Sequence, residues 1–305
     1  MNTTKKYSGI VIPAITPLTA DHQLDEGAVE KIFDNFYKHK LAPFILGTTG
    51  ESASLPMTLK KAYVAKAASL QQKDILLYAG ISSNCLEESI SLAKYSFDHG
   101  IAAVAATLPS YYEMTESQME KYFVQLADAL GGPMIIYNIP ATTHMSIPLE
   151  LIDKLSHHEN IVGTKDSERS DKRLQRSIQL WAKRKDFSHF TGWAGRSAKA
   201  LIEGSDGLIP STGNLFPALY DDMLKAVRSK DHNSAMDLQR MSDDLGNLYQ
   251  HGRTLGSSLG ALKVLMEKER LCSEFVMPPL QCLSAEEKFK LINKYEDMLN
   301  GSLAK

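Results

Sequence analysis

The chain has 305 residues, 43% of them hydrophobic and 23% charged, with a formal net charge of −2. That is the make-up of a globular protein with ample length for a full core, and it gives nucleic acid or an anionic membrane no basic face to bind. No stretch approaches the roughly 20 apolar residues of a membrane span or a signal peptide's apolar run, and the three cysteines (Cys85, Cys272, Cys282) contain no CxxC, so a reduced, cytoplasmic protein is expected.

In chain order, short apolar runs alternate with stretches of helical period. The runs are IVIPAIT in the 11–16 region, PFILG at 43–47, ILLYAG at 75–80, AAVAAT at 102–107, PMIIYN at 133–138, NIVGTK at 160–165, FSHFTG at 187–192 and DGLIPS at 206–211. Between them lie helical candidates. DEGAVEKIFDNFYKH carries Val29, Ile32, Phe33 and Phe36 on one stripe, LEESISLAKYSFDHG stops at Gly100, and ESQMEKYFVQLADAL reads the same way. The strand candidates are continuously apolar rather than alternating, as parallel strands covered on both faces are. About eight strand–helix units predict an α/β fold, a (β/α)8 TIM barrel, and a doubly wound open sheet is the competing arrangement. The expected division is a catalytic barrel over residues 1–230 and a helical extension packed on it over 231–305.

In such a barrel the C-terminal ends of the strands build the active site. After PFIL comes Gly47-Thr48-Thr49-Gly50-Glu51, a turn rich in backbone N–H groups and hydroxyls that can hold a carboxylate. It matches neither GxGxxG nor the P-loop pattern, and a plain tight turn needing glycine is the alternative. Tyr137 closes the PMII strand before Pro140, as a proton carrier or as a barrel filler with its hydroxyl at the rim. Lys165 closes the NIVGT strand. Alternation puts Gly163 on the same side, where a missing side chain leaves room for the lysine stem, and puts Asp166 on the other. A buried lysine loses its proton and becomes a nucleophile toward carbonyls; the alternative is a lysine that reaches the rim and pairs with Asp166 or Glu168. Pro109-Ser110-Tyr111-Tyr112 offers two tyrosines for a pocket or an interface. His157-His158 is a lone pair near a helix end, with no HExxH, so no metal site is expected.

Taken together, GTTGE (47–51), PSYY (109–112), YNIP (137–140), GTKDS (163–167), SDGLIPSTGN (205–214) and MPPLQCLS (277–284) resemble the dihydrodipicolinate synthase/N-acetylneuraminate lyase family, from about residue 9 to 299. The resemblance implies a (β/α)8 barrel with a C-terminal helical extension, usually a homotetramer. It implies a class I lyase without metal or organic cofactor, acting on a small 2-oxo acid. By the resemblance, Lys165 forms the Schiff base with the pyruvyl carbon, and Tyr137 moves protons. Thr48 and Tyr111 are its relay partners, Tyr111 reaching a neighbouring subunit's site. Thr49 and the Gly47–Gly50 backbone grip the pyruvyl carboxylate, Ile209 walls the pocket, and Gly192 closes the next strand.

Departures from the family pattern bear on the substrate. Family synthases carry an arginine two residues after the YNxP proline, where this chain has Thr142. Sialic acid lyases have acidic residues after the strand ending at Gly192, where this chain reads Trp193-Ala194-Gly195-Arg196. The expectation is therefore an aldolase or dehydratase of 2-keto-3-deoxy sugar acids or 4-hydroxy-2-oxo acids, with Arg196, Arg169 and His144 at hand for a distal group. Dihydrodipicolinate synthase is the alternative, and a non-catalytic barrel that binds a small acid is a third reading.

Overall fold

The computed structural model describes residues 5–303. Eight parallel strands close into a barrel in sequence order, with β1 paired to both β2 and β8. This closure excludes the open sheet. The strands are β1 (Gly9–Pro13), β2 (Ala42–Ile45), β3 (Tyr78–Gly80), β4 (Ala103–Ala106), β5 (Met134–Asn138), β6 (Ile161–Asp166), β7 (Ser188–Thr191) and β8 (Gly207–Leu208). Helices follow each: α1 (Glu26–Tyr37), α2 (Met57–Ser69), α3 (Leu86–Asp98), α4 (Glu116–Leu130), the short α5 (Pro140–Thr143) with α6 (Leu149–Leu155), α7 (Asp171–Trp181), α8 (Ser197–Glu203) and α9 (Pro217–Arg228). Then come α10 (His232–Gln250), α11 (Leu255–Lys268) and α12 (Ala285–Leu303). No helix among the described residues is long and apolar enough to cross a membrane.

The continuous apolar runs are explained by two separate cores. Val11, Phe44, Tyr78, Ala105, Ile135 and Phe190 pack inside the barrel. The alternate strand residues, such as Ile12, Ile45, Ala79, Val104 and Ile136, face outward into the larger core beneath the helices. The stripe on α1 behaves as its spacing predicts: Val29, Ile32, Phe33 and Phe36 are all buried, and Asp25 caps the helix by accepting the Ala28 N–H at 2.9 Å. Burying each such side chain stabilises by about 1.5–3 kcal/mol. Gly100 does follow α3, with φ +83°, where a β-carbon would be strained.

The barrel rim is tied to the later helices by side chains. Asn214, after β8, accepts the Ile15 N–H at 3.1 Å and donates to Pro13 O at 2.9 Å, fastening the end of β8 to the end of β1. Tyr249 of α10 shares a 2.7 Å hydrogen bond with Ser211. α10 lies against α8 and α9, and α11 lies against α10 and α12.

Candidate active site

Lys165 and Tyr137 sit at matching heights on neighbouring strands, paired in the β5–β6 register. Both point into the barrel mouth, and each is 4% exposed. The Lys165 Nζ lies 3.8 Å from the centre of the Tyr137 ring and 5.0 Å from that of Phe44. Burial pushes the Lys165 amine below the ordinary lysine range, and the neighbouring Tyr137 phenol only partly offsets this. Burial alone would raise the phenol. The charge of Lys165 and hydrogen bonds from Thr48, Lys165 and Ser167 outweigh it, and the net direction is down. Thr48 Oγ1 is 3.2 Å from the Tyr137 hydroxyl.

Asp166 and Glu168 do not pair with Lys165. Asp166 points to the outer face of β6, where Arg173 Nε donates to Oδ2 at 2.6 Å and Asn138 Nδ2 donates to Oδ1 at 3.1 Å. Asn138 also donates to Glu168 at 3.1 Å, and Arg173 donates to Ile147 O at 2.8 Å. This network clamps β5 and β6 from behind while their front faces carry Tyr137 and Lys165. The alternative of a rim lysine paired to its neighbours is thus absent from the structure.

The reason for glycine at 163 differs from the expected one. A β-carbon there would meet the Ser188 carbonyl of β7 at 2.7 Å, and its nearest neighbours all belong to Ser188, so the glycine permits the β6–β7 approach. Gly192 likewise leaves space for Ser167, whose Oγ would lie 2.1 Å from an added β-carbon.

Within the Gly47–Gly50 backbone, the hydrogen bonds divide the turn between closure and open donors. The Gly50 N–H closes the turn onto Gly47 O at 3.0 Å, and Gly50 O accepts the Thr16 hydroxyl at 2.6 Å. The amides of Thr48 and Thr49 donate to no described residue. The open N–H groups thus include those of the two threonines, and Gly50 serves close packing: its β-carbon would lie 3.0 Å from Ala14 O. Gly47 is buried beside Phe44.

Two cavities meet at Thr48 and Tyr137, which line both. One, of about 460 Å³, contains Lys165, Thr49, Ser167, Arg169, Gly192, Arg196 and Ile209. The other, of about 770 Å³, contains Gly47, Thr142 and Ser110 but not Lys165. Thr142 therefore faces the second cavity, and its hydroxyl donates to Ile139 O at 3.3 Å. Arg196 is already engaged: its Nε and Nη2 reach the two oxygens of Asp171 at 2.9 and 3.0 Å, and it lies over the Trp193 ring. Those bonds from Arg196 and Lys199 hold the Asp171 carboxyl well below the usual range. Arg169 is exposed and forms no hydrogen bond or ion pair among the described residues. His144 is exposed with φ +58° and lines neither cavity. Tyr111 and Tyr112 are each 77% exposed and line neither cavity, while Asn84 Oδ1 accepts the Ser110 and Tyr111 N–H groups at 2.8 and 3.3 Å and holds their loop.

Several site residues escaped the sequence reading. Ser167 touches Tyr137, and strand alternation from Lys165 is the signal that could have found it. Asp243, Asn247 and Gln250 of α10 and Leu259 of α11 complete the lysine cavity. No local signal marks them, because they reach the mouth through packing of the C-terminal helices.

The model of the dihydrodipicolinate synthetase family matches residues 6–298. The chain belongs to that family of lyases. It is 31% identical over 235 residues to the 4-hydroxy-tetrahydrodipicolinate synthase of Acidiphilium cryptum (strain JF-5), covering 76% of this chain and 80% of the relative. It is 27% identical over 291 residues to the probable 2-dehydro-3-deoxy-D-pentonate aldolase YjhH of Escherichia coli K12, covering 94% of this chain and 96% of the relative. The crystal structure of Escherichia coli K12 YagE in complex with pyruvate superposes with a TM-score of 0.90 at 26% identity, covering 96% of this chain and 98% of that one.

Proposed function

We propose that the protein is a Schiff-base lyase for a 2-oxo acid with a hydroxylated tail, a 2-keto-3-deoxy sugar acid or 4-hydroxy-2-oxo acid. The observation that carries this is the buried Lys165 amine, pushed below the lysine range and set against Tyr137. A neutral amine attacks the C2 carbonyl, water leaves, and an iminium forms. The iminium then accepts the electron pair of the C3–C4 bond as Tyr137 takes the C4 hydroxyl proton. An aldehyde departs and an enamine remains. Its C3 regains a proton, and hydrolysis returns pyruvate and the free amine. Thr49 and the Gly47–Gly50 backbone hold the carboxylate in this reading, which the unpartnered Thr48 and Thr49 amides support, and Ile209, which lines the lysine cavity, walls the pyruvyl end. Gln250 and Asn247 suit tail hydroxyls. Tyr111 acts from a second subunit in a homotetramer or dimer; its exposed ring supports this. Residues 1–230 form the catalytic unit, and 231–305 roof it. The free thiols of Cys85 and Cys282 support a cytoplasmic setting.

One observation favours the alternative, dihydrodipicolinate synthesis. Arg169 is an unengaged cation beside the lysine cavity and suits a second carboxylate. The test is borohydride trapping with pyruvate followed by peptide mapping, which should place one reduced pyruvyl group on Lys165. Comparing kcat/KM for a panel of 2-keto-3-deoxy acids with that for pyruvate plus aspartate semialdehyde then chooses the substrate class. An adduct elsewhere, or none, removes the mechanism; a better rate with aspartate semialdehyde gives the second reading.

A further inference from the structure

One buried ion pair lies outside the reacting groups yet holds the turn that carries two of them. Glu51 closes the GTTGE turn with φ +57° and is 3% exposed. Its Oε1 lies 2.5 Å from Nζ of Lys263 in α11, and its Oε2 accepts the Met277 N–H at 2.7 Å. Lys263 Nζ also donates to Phe275 O at 2.6 Å, and its side chain is wholly buried. Around it on α11, Leu262, Val264, Leu265 and Met266 are buried and apolar. A charge pair in such surroundings adds little to stability over a well-packed apolar pair, so its worth lies in fixing a geometry.

The turn it fixes is strained at both ends. Leu46 enters with φ +55° and Glu51 leaves with φ +57°, values that non-glycine residues hold only where the surroundings enforce them. The Leu46 carbonyl needs the space that Gly80 leaves empty, since a β-carbon there would lie 2.1 Å from it. Between these ends lie the free amides of Thr48 and Thr49 and the Thr48 hydroxyl that meets Tyr137. Neither Glu51 nor Lys263 lines the cavity that holds Lys165, whereas Ser258 and Leu259 of the same α11 do. One helix thus both walls the lysine cavity and anchors the turn opposite.

We propose that Glu51 and Lys263 are positioning residues, an ion pair through which the C-terminal helices hold the 47–50 turn in the shape that grips the substrate carboxylate and keeps Thr48 on Tyr137. The inference rests on the proposed function, because the grip has a use only if a pyruvyl group binds there. Its test is the double variant Glu51→Gln/Lys263→Met. The glutamine oxygen still accepts the Met277 N–H, and methionine fills the lysine's volume without its charge. Two readouts are taken on folded protein: hydrogen exchange of the 46–52 peptide, and the pyruvate concentration that half-saturates borohydride trapping at Lys165. We expect the melting temperature to stay close to that of the natural chain. Exchange should speed up, and the half-saturating pyruvate concentration should rise, each on the order of tenfold to a hundredfold, as loss of a positioned geometry gives. Natural exchange and natural half-saturation in the folded double variant overturn the inference. If that variant does not fold, Glu51→Gln alone is read in the same way, because it removes the carboxylate of the pair while its amide oxygen can still accept the Met277 N–H. Unfolding of both variants also overturns it, since the pair is then a support of the whole fold. If the natural chain forms no adduct at Lys165, the proposed function fails, and the exchange rate of 46–52 still decides the coupling.

Discussion

Removing one oxygen from Tyr137 separates its proton chemistry from its packing. In Tyr137→Phe the ring still covers Lys165, whose Nζ lies 3.8 Å from the ring centre. The hydroxyl is lost together with its 3.2 Å contact to Thr48. A positioned acid–base group contributes typically 10²–10⁴-fold, which is about 3–5.5 kcal/mol of barrier. We expect kcat for the best 2-oxo acid to fall by that factor. The amine should respond as well. Burial holds Lys165 down, and the Tyr137 phenol works against burial by charge and hydrogen bond. Without the phenol, burial acts alone and the amine moves further down. Schiff-base formation needs the neutral amine, so its onset with rising pH should shift to lower pH in the variant. The assay is single-turnover cleavage beside borohydride trapping across a pH series, with the adduct mapped to Lys165. A kcat within about threefold of the natural chain, well short of the acid–base range, would refute the proton role. A trapping midpoint that moves to higher pH would refute the electrostatic account of the pair.

Gly163→Ala would set a β-carbon 2.7 Å from the Ser188 carbonyl in the paired β7 strand. Such overpacking costs about 1–3 kcal/mol, so the melting temperature should drop by several degrees; an unchanged melting curve would show that the strands part freely. Mixing inactive Tyr111→Phe and Lys165→Ala proteins under subunit exchange should restore activity in hybrid assemblies, because each hybrid can then hold one site with both side chains. Hybrids that form and stay inactive would place Tyr111 outside the site.

The barrel was legible because parallel strands buried on both faces leave continuous apolar runs, and all eight observed strands overlap the eight runs. The residues at strand ends were legible for the same reason: Tyr137, Lys165 and the 47–51 turn each end such a run, and the structure brings them to one mouth. Which amide of the turn folds back on the chain was not legible. Which amides stay open depends on the Gly50 N–H folding back onto Gly47 O, a choice set by two left-handed residues that no spacing rule marks. Arg196 stood at a plausible loop position, but its fork is taken by Asp171, a neighbour 25 residues earlier in the chain. The polar wall from α10 was invisible for a similar reason, since contacts between a late helix and the barrel mouth leave no local pattern.

The placement of Thr48 and Tyr137 between two cavities bears on the proposed role of the exposed tyrosines. The lysine cavity ends at Tyr137, and Thr48 carries the hydrogen-bonded line on toward the larger cavity. That larger cavity is bordered by Pro109 and Ser110, the residues that lead into Tyr111. In one chain the Tyr111 ring turns outward, stacked edge-on against Tyr112 with centres 4.9 Å apart. A neighbouring copy that docks on this face would bury two large rings that are otherwise in water, which favours association. It would also bring its own loop 109–112 against the same loop here, as a two-fold contact does. A tyrosine crossing such an interface would have the larger cavity as its way in, and Thr48 lines that cavity. In the proposed assembly, the proton line would run from the substrate through Tyr137 and Thr48 to a neighbouring copy's Tyr111, and the subunit-exchange experiment tests that arrangement.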